Sequence, residues 1–202
     1  MRASPYADAP RLPEGDRILL SDLVDASTYE IEIGPGPKAG FLLERAVAAP
    51  DAGLVGLEIR RKWAAVGDAR LAKHGHEGRA RVFCEDARLA LPRLGPDGSV
   101  TNVFFHFPDP WWKKRHQKRL VVADVVLDHV ARLMRSGGRL FIQTDVEERA
   151  ELYDTVVGAH GVFVAAEAQV RIDENPFGAR SPREHRAIAD GLPVYRLMWK
   201  RK

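Results

Sequence analysis

The chain of 202 residues has a single cysteine, Cys84. That excludes an intrachain disulfide and any cysteine-based metal site, and it suits a cytoplasmic protein. Long apolar runs are also missing. No stretch approaches the roughly 20 apolar residues of a membrane span, and the polar, Pro-rich opening MRASPYADAPRLPEGD lacks the apolar core of a signal peptide. No membrane partner is expected. Net charge is only +3, so a nucleic-acid surface would have to be local, with its cations clustered. The seven histidines are scattered; His74 and His76 are the closest pair, and a solvated helix end accounts for them. No metal is expected. There is no internal repeat.

What is present is an alternation of strand and helix signals. Residues 1–27 carry little pattern and are expected to be a flexible N-terminal arm, with one domain over 28–202. Strands are expected at Thr28–Ile33, Leu54–Glu58, Arg81–Cys84, Ser99–His106, Arg139–Thr144, Val162–Ala165 and Pro193–Trp199. Helices are expected at Lys38–Ala49, Arg60–His74, Arg88–Leu94, Val121–Met134 and Glu147–Ala159, with Ser136-Gly137-Gly138 as a helix stop. Residues 171–191, polar and broken by Pro and Gly, look like a long loop. This order predicts an α/β fold, doubly wound and Rossmann-like, with a mostly parallel sheet of about seven strands and helices on both faces. Ligands of such sheets bind at the carboxyl ends of the strands, where the strand order reverses.

The motifs fall at those ends. The first strand runs into Glu32-Ile33-Gly34-Pro35-Gly36-Pro37-Lys38-Ala39-Gly40. Glycines allow a tight turn and a close ligand approach. Gly34, Gly36 and Ala39 satisfy the dinucleotide pattern, which keeps an NAD-type oxidoreductase as an alternative. Pro35 and Pro37, however, remove N–H donors that a pyrophosphate needs. Glu32 beside the loop suits a cationic ligand, such as S-adenosylmethionine with its sulfonium and ammonium. Glu58, about twenty residues on, is placed to accept from ribose hydroxyls. Asp86 is placed either to reach an adenine amino group or to cap the helix that follows.

The fourth strand ends in His106-Phe107-Pro108-Asp109-Pro110-Trp111-Trp112, then Lys113, Lys114, Arg115, His116, Lys118 and Arg119. Asp109 between two prolines is a way to hold a carboxylate at an active site. Trp111 and Trp112 offer faces for stacking on bases, or bury under the loop. The cations that follow form a phosphate footprint.

With EIGPG, GLEI, CEDA, FFHFPDPWWKKRHQKR, LMRSGGRLFIQTD and SPREHR, the sequence from about residue 28 onward resembles the bacterial tRNA (guanine-N7-)-methyltransferases. The Pro-Asp-Pro-Trp block with its basic tail is the specific part. The resemblance implies S-adenosylmethionine as methyl donor and tRNA as partner, with methylation of the variable-loop guanosine. It implies donor contacts at Glu32, Glu58, Asp86 and Asp109, and catalysis at Asp109. It implies substrate contacts at Lys113, Asp145, Ser181 and Glu184, and RNA contacts from Lys114 and Arg115 through Lys118 and Arg119. Three departures stand out: Leu120 where a second arginine is usual, Ser181-Pro182-Arg183-Glu184 without a Lys-Phe pair, and no glycine-rich run after Arg186. A non-catalytic RNA-binding module on the same fold is a further alternative. Oligomeric state is open between monomer and homodimer.

Overall fold

The computed structural model describes residues 6–108 and 122–202. The expected helix start at Val121 therefore lies outside the described residues. Chain order is β1 (Ile18–Leu19), β2 (Thr28–Ile33), α1 (Gly40–Ala48), β3 (Ala52–Leu57), α2 (Arg61–Lys73), β4 (Ala80–Phe83), α3 (Ala87–Ala90) and β5 (Leu94–Gly95). It continues with β6 (Val100–His106), α4 (Asp124–Leu133), β7 (Met134–Thr144), α5 (Glu147–Ala159), β8 (Phe163–Ala165), β9 (Arg171–Ile172), α6 (Pro182–Ala189) and β10 (Tyr195–Arg201).

The main sheet has the order β4-β3-β2-β6-β7-β10-β8, with β9 pairing on β10. From β4 to β7 the pairs are parallel. β10 runs antiparallel against β7, β8 and β9. The chain steps outward from β2 to β3 to β4, then returns to place β6 on the other side of β2. The strand order thus reverses between β2 and β6, and a crevice opens at their carboxyl ends.

Helices cover both faces, so the inner strands are buried on both sides. All six residues of β3 are buried. One hydrophobic layer joins Ile31, Val103, Phe105 and Ile142 to Val126, Leu127 and Val130 of α4 and to Ala150, Tyr153 and Val157 of α5. Those helical positions repeat every three or four residues, which is why the segments fold as amphipathic helices. The other layer joins Leu54, Phe104 and Phe141 to Phe41 and Leu42 of α1 and to Ala64 and Leu71 of α2. No described helix is long and apolar enough to cross a membrane.

Three expectations need correction. The segment expected as a flexible arm is folded from residue 6 onward. Leu12, Ile18, Leu20, Leu23 and Val24 join the first buried layer. β1 pairs in parallel with β5, and the Cys84 N–H donates to Pro10 O at 2.7 Å. Each buried aliphatic side chain contributes roughly 1.5–3 kcal/mol, enough to order a segment with no regular pattern. Second, residues 171–191 are not all loop, since they hold β9 and α6. Third, the helix before Gly137 stops at Leu133, and Met134 already belongs to the next strand, opposite Val100.

Candidate functional site

The turn after β2 winds through positive φ at Gly34 (72°), Gly36 (69°), Lys38 (76°) and Ala39 (45°). The left-handed region costs residues with a Cβ more than glycine. A Cβ built at Gly34 meets nothing within 4 Å. Glycine is required there by the backbone angle, not by crowding, and the space above the turn is open to a ligand. The Gly34 N–H donates to Leu57 O at 2.9 Å, which ties the turn to β3.

Glu58, just beyond β3, holds the same turn. Its Oε2 accepts from the Gly36 N–H at 3.0 Å and its Oε1 from the Arg60 N–H at 2.8 Å. Each oxygen keeps a lone pair for a ligand hydroxyl. Burial pushes the Glu58 carboxyl up from its ordinary value, partly opposed by those two N–H groups. A raised folded value means that the fold binds this proton more tightly than the unfolded chain. The Glu58 contribution to stability is therefore full below the ordinary carboxylate range and declines as pH rises through the raised value. Glu58→Gln should remove that decline, which shows as a flatter difference in melting temperature between acidic and neutral buffers.

Asp86 makes the cap. Its Oδ1 accepts from the Arg88 N–H at 3.0 Å at the start of α3. The Arg88 guanidinium also engages it and holds its carboxyl below the usual value. Its neighbour Glu85, which the sequence did not single out, anchors the N-terminal segment through Arg11 at 2.8 Å and the Leu12 N–H at 3.2 Å.

Glu30 and Glu32 lie on one face of β2, two residues apart, and are treated differently. Both Glu30 oxygens are engaged: Arg45 donates to them at 2.8 and 2.7 Å, and Asn102 Nδ2 at 2.6 Å. Glu32 is 1% exposed. Its Oε1 lies 2.7 Å from His106 Nδ1, and its Oε2 has no partner among the described residues. His106 Nε2 and both amide atoms of Gln143 are likewise buried without partners among the described residues. His106 and Gln143 are register partners on β6 and β7, so with Glu32 they form one polar row at the strand ends. Beneath the row lie the rings of Phe41, Phe104 and Phe141, with centroids 4.1, 5.8 and 6.0 Å from that of His106. A buried polar group left unpaired costs about 1–3 kcal/mol. Neither His106 nor Gln143 had a role in the sequence; the available signal was a Gln at the end of an apolar strand, in line with a His on the neighbouring one.

Just beyond, Phe107 has φ of 49° and donates its N–H to Gln143 O at 2.8 Å. The expected site residues Asp109, Lys113, Lys114, Arg115, His116, Lys118 and Arg119 lie outside the described residues, as do Trp111, Trp112 and Leu120.

Asp145 follows β7 and is gripped by Arg183 through both carboxylate oxygens, at 3.0 and 2.7 Å. The Arg183 guanidinium also lies over the Phe107 ring, 5.3 Å from its centroid. Asp145, Arg183 and Phe107 therefore meet at the mouth of the crevice. Ser181 and Glu184 make structural contacts. Ser181 Oγ caps α6, accepting from the Glu184 N–H at 3.2 Å. Glu184 is fully buried. Its Oε1 accepts from Arg196 at 3.0 and 2.9 Å, and its Oε2 from Asn175 at 2.9 Å. Pro182 at the start of α6 abuts Gly40 at the start of α1, where a Cβ would fall 2.4 Å from Pro182 Cγ. That contact holds α6 beside the glycine turn.

The protein family described as putative methyltransferase matches residues 26–197. The tRNA (guanine-N(7)-)-methyltransferase of Anaeromyxobacter dehalogenans (strain 2CP-C) is 44% identical over 170 residues, covering 83% of each chain. This chain belongs to that methyltransferase family. A second member, from Rhodopirellula baltica, is 35% identical over 182 residues, which cover 86% of this chain and 66% of the relative. Among solved structures, the 16S rRNA methyltransferase KamB superposes with a TM-score of 0.62 at 14% identity, covering 91% of both chains. TrmN from Thermus thermophilus superposes with a TM-score of 0.58 at 15% identity, over 91% of this chain and 47% of that one. At such identities the superpositions speak for the fold, a methyltransferase-type α/β sheet.

Proposed function

We propose that this family member transfers a methyl group from S-adenosylmethionine to N7 of a guanine in tRNA, the variable-loop guanosine, at the crevice between β2 and β6. The observation that carries this reading is Glu32, a buried carboxylate at the glycine turn with one oxygen left without a partner among the described residues. The donor set fits the methyl donor. Acids face a ligand that bears a sulfonium and an ammonium, and Pro35 and Pro37 withhold the N–H groups a dinucleotide pyrophosphate would need. Glu32 would bind the cationic end and Glu58 the ribose hydroxyls. Asp86, spent on its cap and on Arg88, would keep a lesser part at the adenine. When bound, S-adenosylmethionine supplies a methyl group activated by its sulfonium.

Guanine N7 carries a free lone pair and no proton, so the protein needs positioning and charge placement more than a strong base. Positive charge grows on the purine as the methyl arrives, and Asp109 is the carboxylate proposed to favour it. Asp145 is the second acid in reach of a substrate at the crevice mouth. Guanine N1–H and its amino group could replace the two Arg183 donors on it, which would select guanine over adenine. Lys113, Lys114, Arg115, His116, Lys118 and Arg119 would hold tRNA phosphates.

Radiolabelled S-adenosylmethionine with unmodified tRNA tests the whole reading. The expected product is 7-methylguanosine in the variable loop. Labelled tRNA never forming would leave a binding module, and label at another atom would overturn the site of transfer. Two narrower outcomes follow. Glu58→Gln removes one of two acceptors for the Gly36 and Arg60 N–H groups and should weaken S-adenosylhomocysteine binding about tenfold by calorimetry. Neutral substitutions at Lys114, Arg115 and Lys118 together should lower tRNA affinity and reduce the slope of log affinity against log salt by about 2 to 3. An unchanged slope would remove these side chains from the footprint.

A further inference from the structure

Two neighbours of Glu32 invite a role beyond the acids at the strand ends. His106 is 8% exposed and Gln143 fully buried, yet His106 Nε2, Gln143 Oε1 and Gln143 Nε2 make no hydrogen bond among the described residues. Natural interiors rarely leave such groups unsatisfied, and those that remain call for a function or a ligand. The next polar layer down the same face provides a control. There Glu30, Asn102 and Arg139 are register neighbours on the same three strands, and they satisfy one another: Asn102 Nδ2 donates to Glu30 and Arg139 Nε to Asn102 Oδ1 at 3.1 Å. The fold can therefore pair polar groups across β2, β6 and β7. It does so away from the crevice and not beside it.

We infer that His106 and Gln143 complete the methyl donor's pocket, His106 as the positioning residue that orients Glu32, and both as partners for the donor's amino-acid end. The chemistry matches. The Glu32 carboxylate lies 2.7 Å from Nδ1, which favours the tautomer with its hydrogen on Nδ1 and leaves Nε2 as an acceptor. Glu32 Oε2, His106 Nε2 and Gln143 Oε1 are then three acceptors for one ammonium. Gln143 Nε2 is the one donor among the open atoms, and it suits the carboxylate of the same group. Phe41, Phe104 and Phe141 hold the imidazole from below, so its ring plane is set before the ligand arrives. The inference rests on the methyltransferase reading above.

The test uses the full chain with S-adenosylhomocysteine and with 5′-methylthioadenosine, which shares the nucleoside and thioether but lacks the amino-acid group. Gln143→Met keeps the volume and removes the amide. It should bind S-adenosylhomocysteine at least tenfold more weakly, bind methylthioadenosine as before, and melt no lower than the unaltered chain. A purely structural glutamine would give the opposite pattern, with a lower melting temperature and unchanged affinity, and that result overturns the inference. His106→Phe should lose S-adenosylhomocysteine affinity more than His106→Asn does, because Asn can still donate to Glu32. Equal losses, or none, would overturn the positioning role. If the unaltered chain binds methylthioadenosine and S-adenosylhomocysteine equally well, the amino-acid end has no pocket here and the inference fails alone. If it binds neither, the methyltransferase reading fails and takes the inference with it.

Discussion

Asp109→Ala is expected to lower the turnover of tRNA methylation by at least about 100-fold while the protein still folds. A carboxylate placed where charge develops contributes on the order of 10²–10³ in rate when its site excludes water. Methyl transfer moves a full positive charge from the donor sulfur to the purine, so the loss of one fixed negative charge acts on the transition state more than on the ground state. Turnover should therefore fall more than tRNA affinity does. Stability should be nearly unchanged, with melting shifted by about 2 °C or less. Single-turnover methylation with labelled donor measures the first effect, and thermal unfolding the second. Asp109→Asn should fall between, since it keeps hydrogen-bonding capacity and loses charge. Near-normal turnover in Asp109→Ala would pass the charge-placing role to Asp145, whose oxygens are already aligned on a planar cation in Arg183.

The second large effect concerns stability. Glu184→Ala should cost about 3–5 kcal/mol, because it leaves the Arg196 guanidinium buried without its carboxylate. Arg196 is only 11% exposed and Glu184 not at all. In a chain of this length that loss lowers the melting temperature by about 10 °C or more. Asn175 loses an acceptor in the same change. Replacing both members of the pair, Glu184→Met with Arg196→Met, should recover much of the loss, since it removes the orphaned charge. The resemblance to known methyltransferases would have Glu184 touch substrate. That role would show as lost tRNA affinity at unchanged melting temperature, the reverse of the outcome expected here.

Most of the fold was legible from periodicity. β2 and α5 have the bounds expected from Thr28–Ile33 and Glu147–Ala159. The alternation of strand and helix gave the parallel sheet, and the glycines at positive φ stand where the turn was expected. What was missed shares one cause: burial decided by distant partners. α6 has a polar sequence, and its start signal, Ser181 three residues before Glu184 with Pro182 between, is short. The helix is stabilised by a glutamate whose arginine arrives only with β10. The N-terminal segment has no period because it forms little regular structure, pairing through β1 with β5 and sending scattered side chains into the first buried layer. The site divided in the same way. Glu32 and Glu58 drew notice as acids at strand ends next to a glycine turn, and the structure places both beside that turn. For Asp86 the structure shows the cap that the sequence had offered beside a ligand role, with Arg88 folded back on it. Gln143 stood out only as a Gln ending an apolar strand, and the register of β6 against β7 is what brings it beside His106.

The N-terminal segment also sets where the domain can be cut. Leu12, Ile18, Leu20, Leu23 and Val24 come from before Thr28, the point at which sequence pattern begins. A recombinant fragment starting at Thr28 would keep every strand of the main sheet and every helix from α1 onward. It would nonetheless bare apolar surface of the first buried layer and the edge of β5, the kind of surface through which proteins clump in solution. It would also strip Glu85 of Arg11 and the Leu12 N–H. For protein production, a fragment needs at least the residues from Ala9 onward, which are packed well ahead of residue 26, where its family match starts.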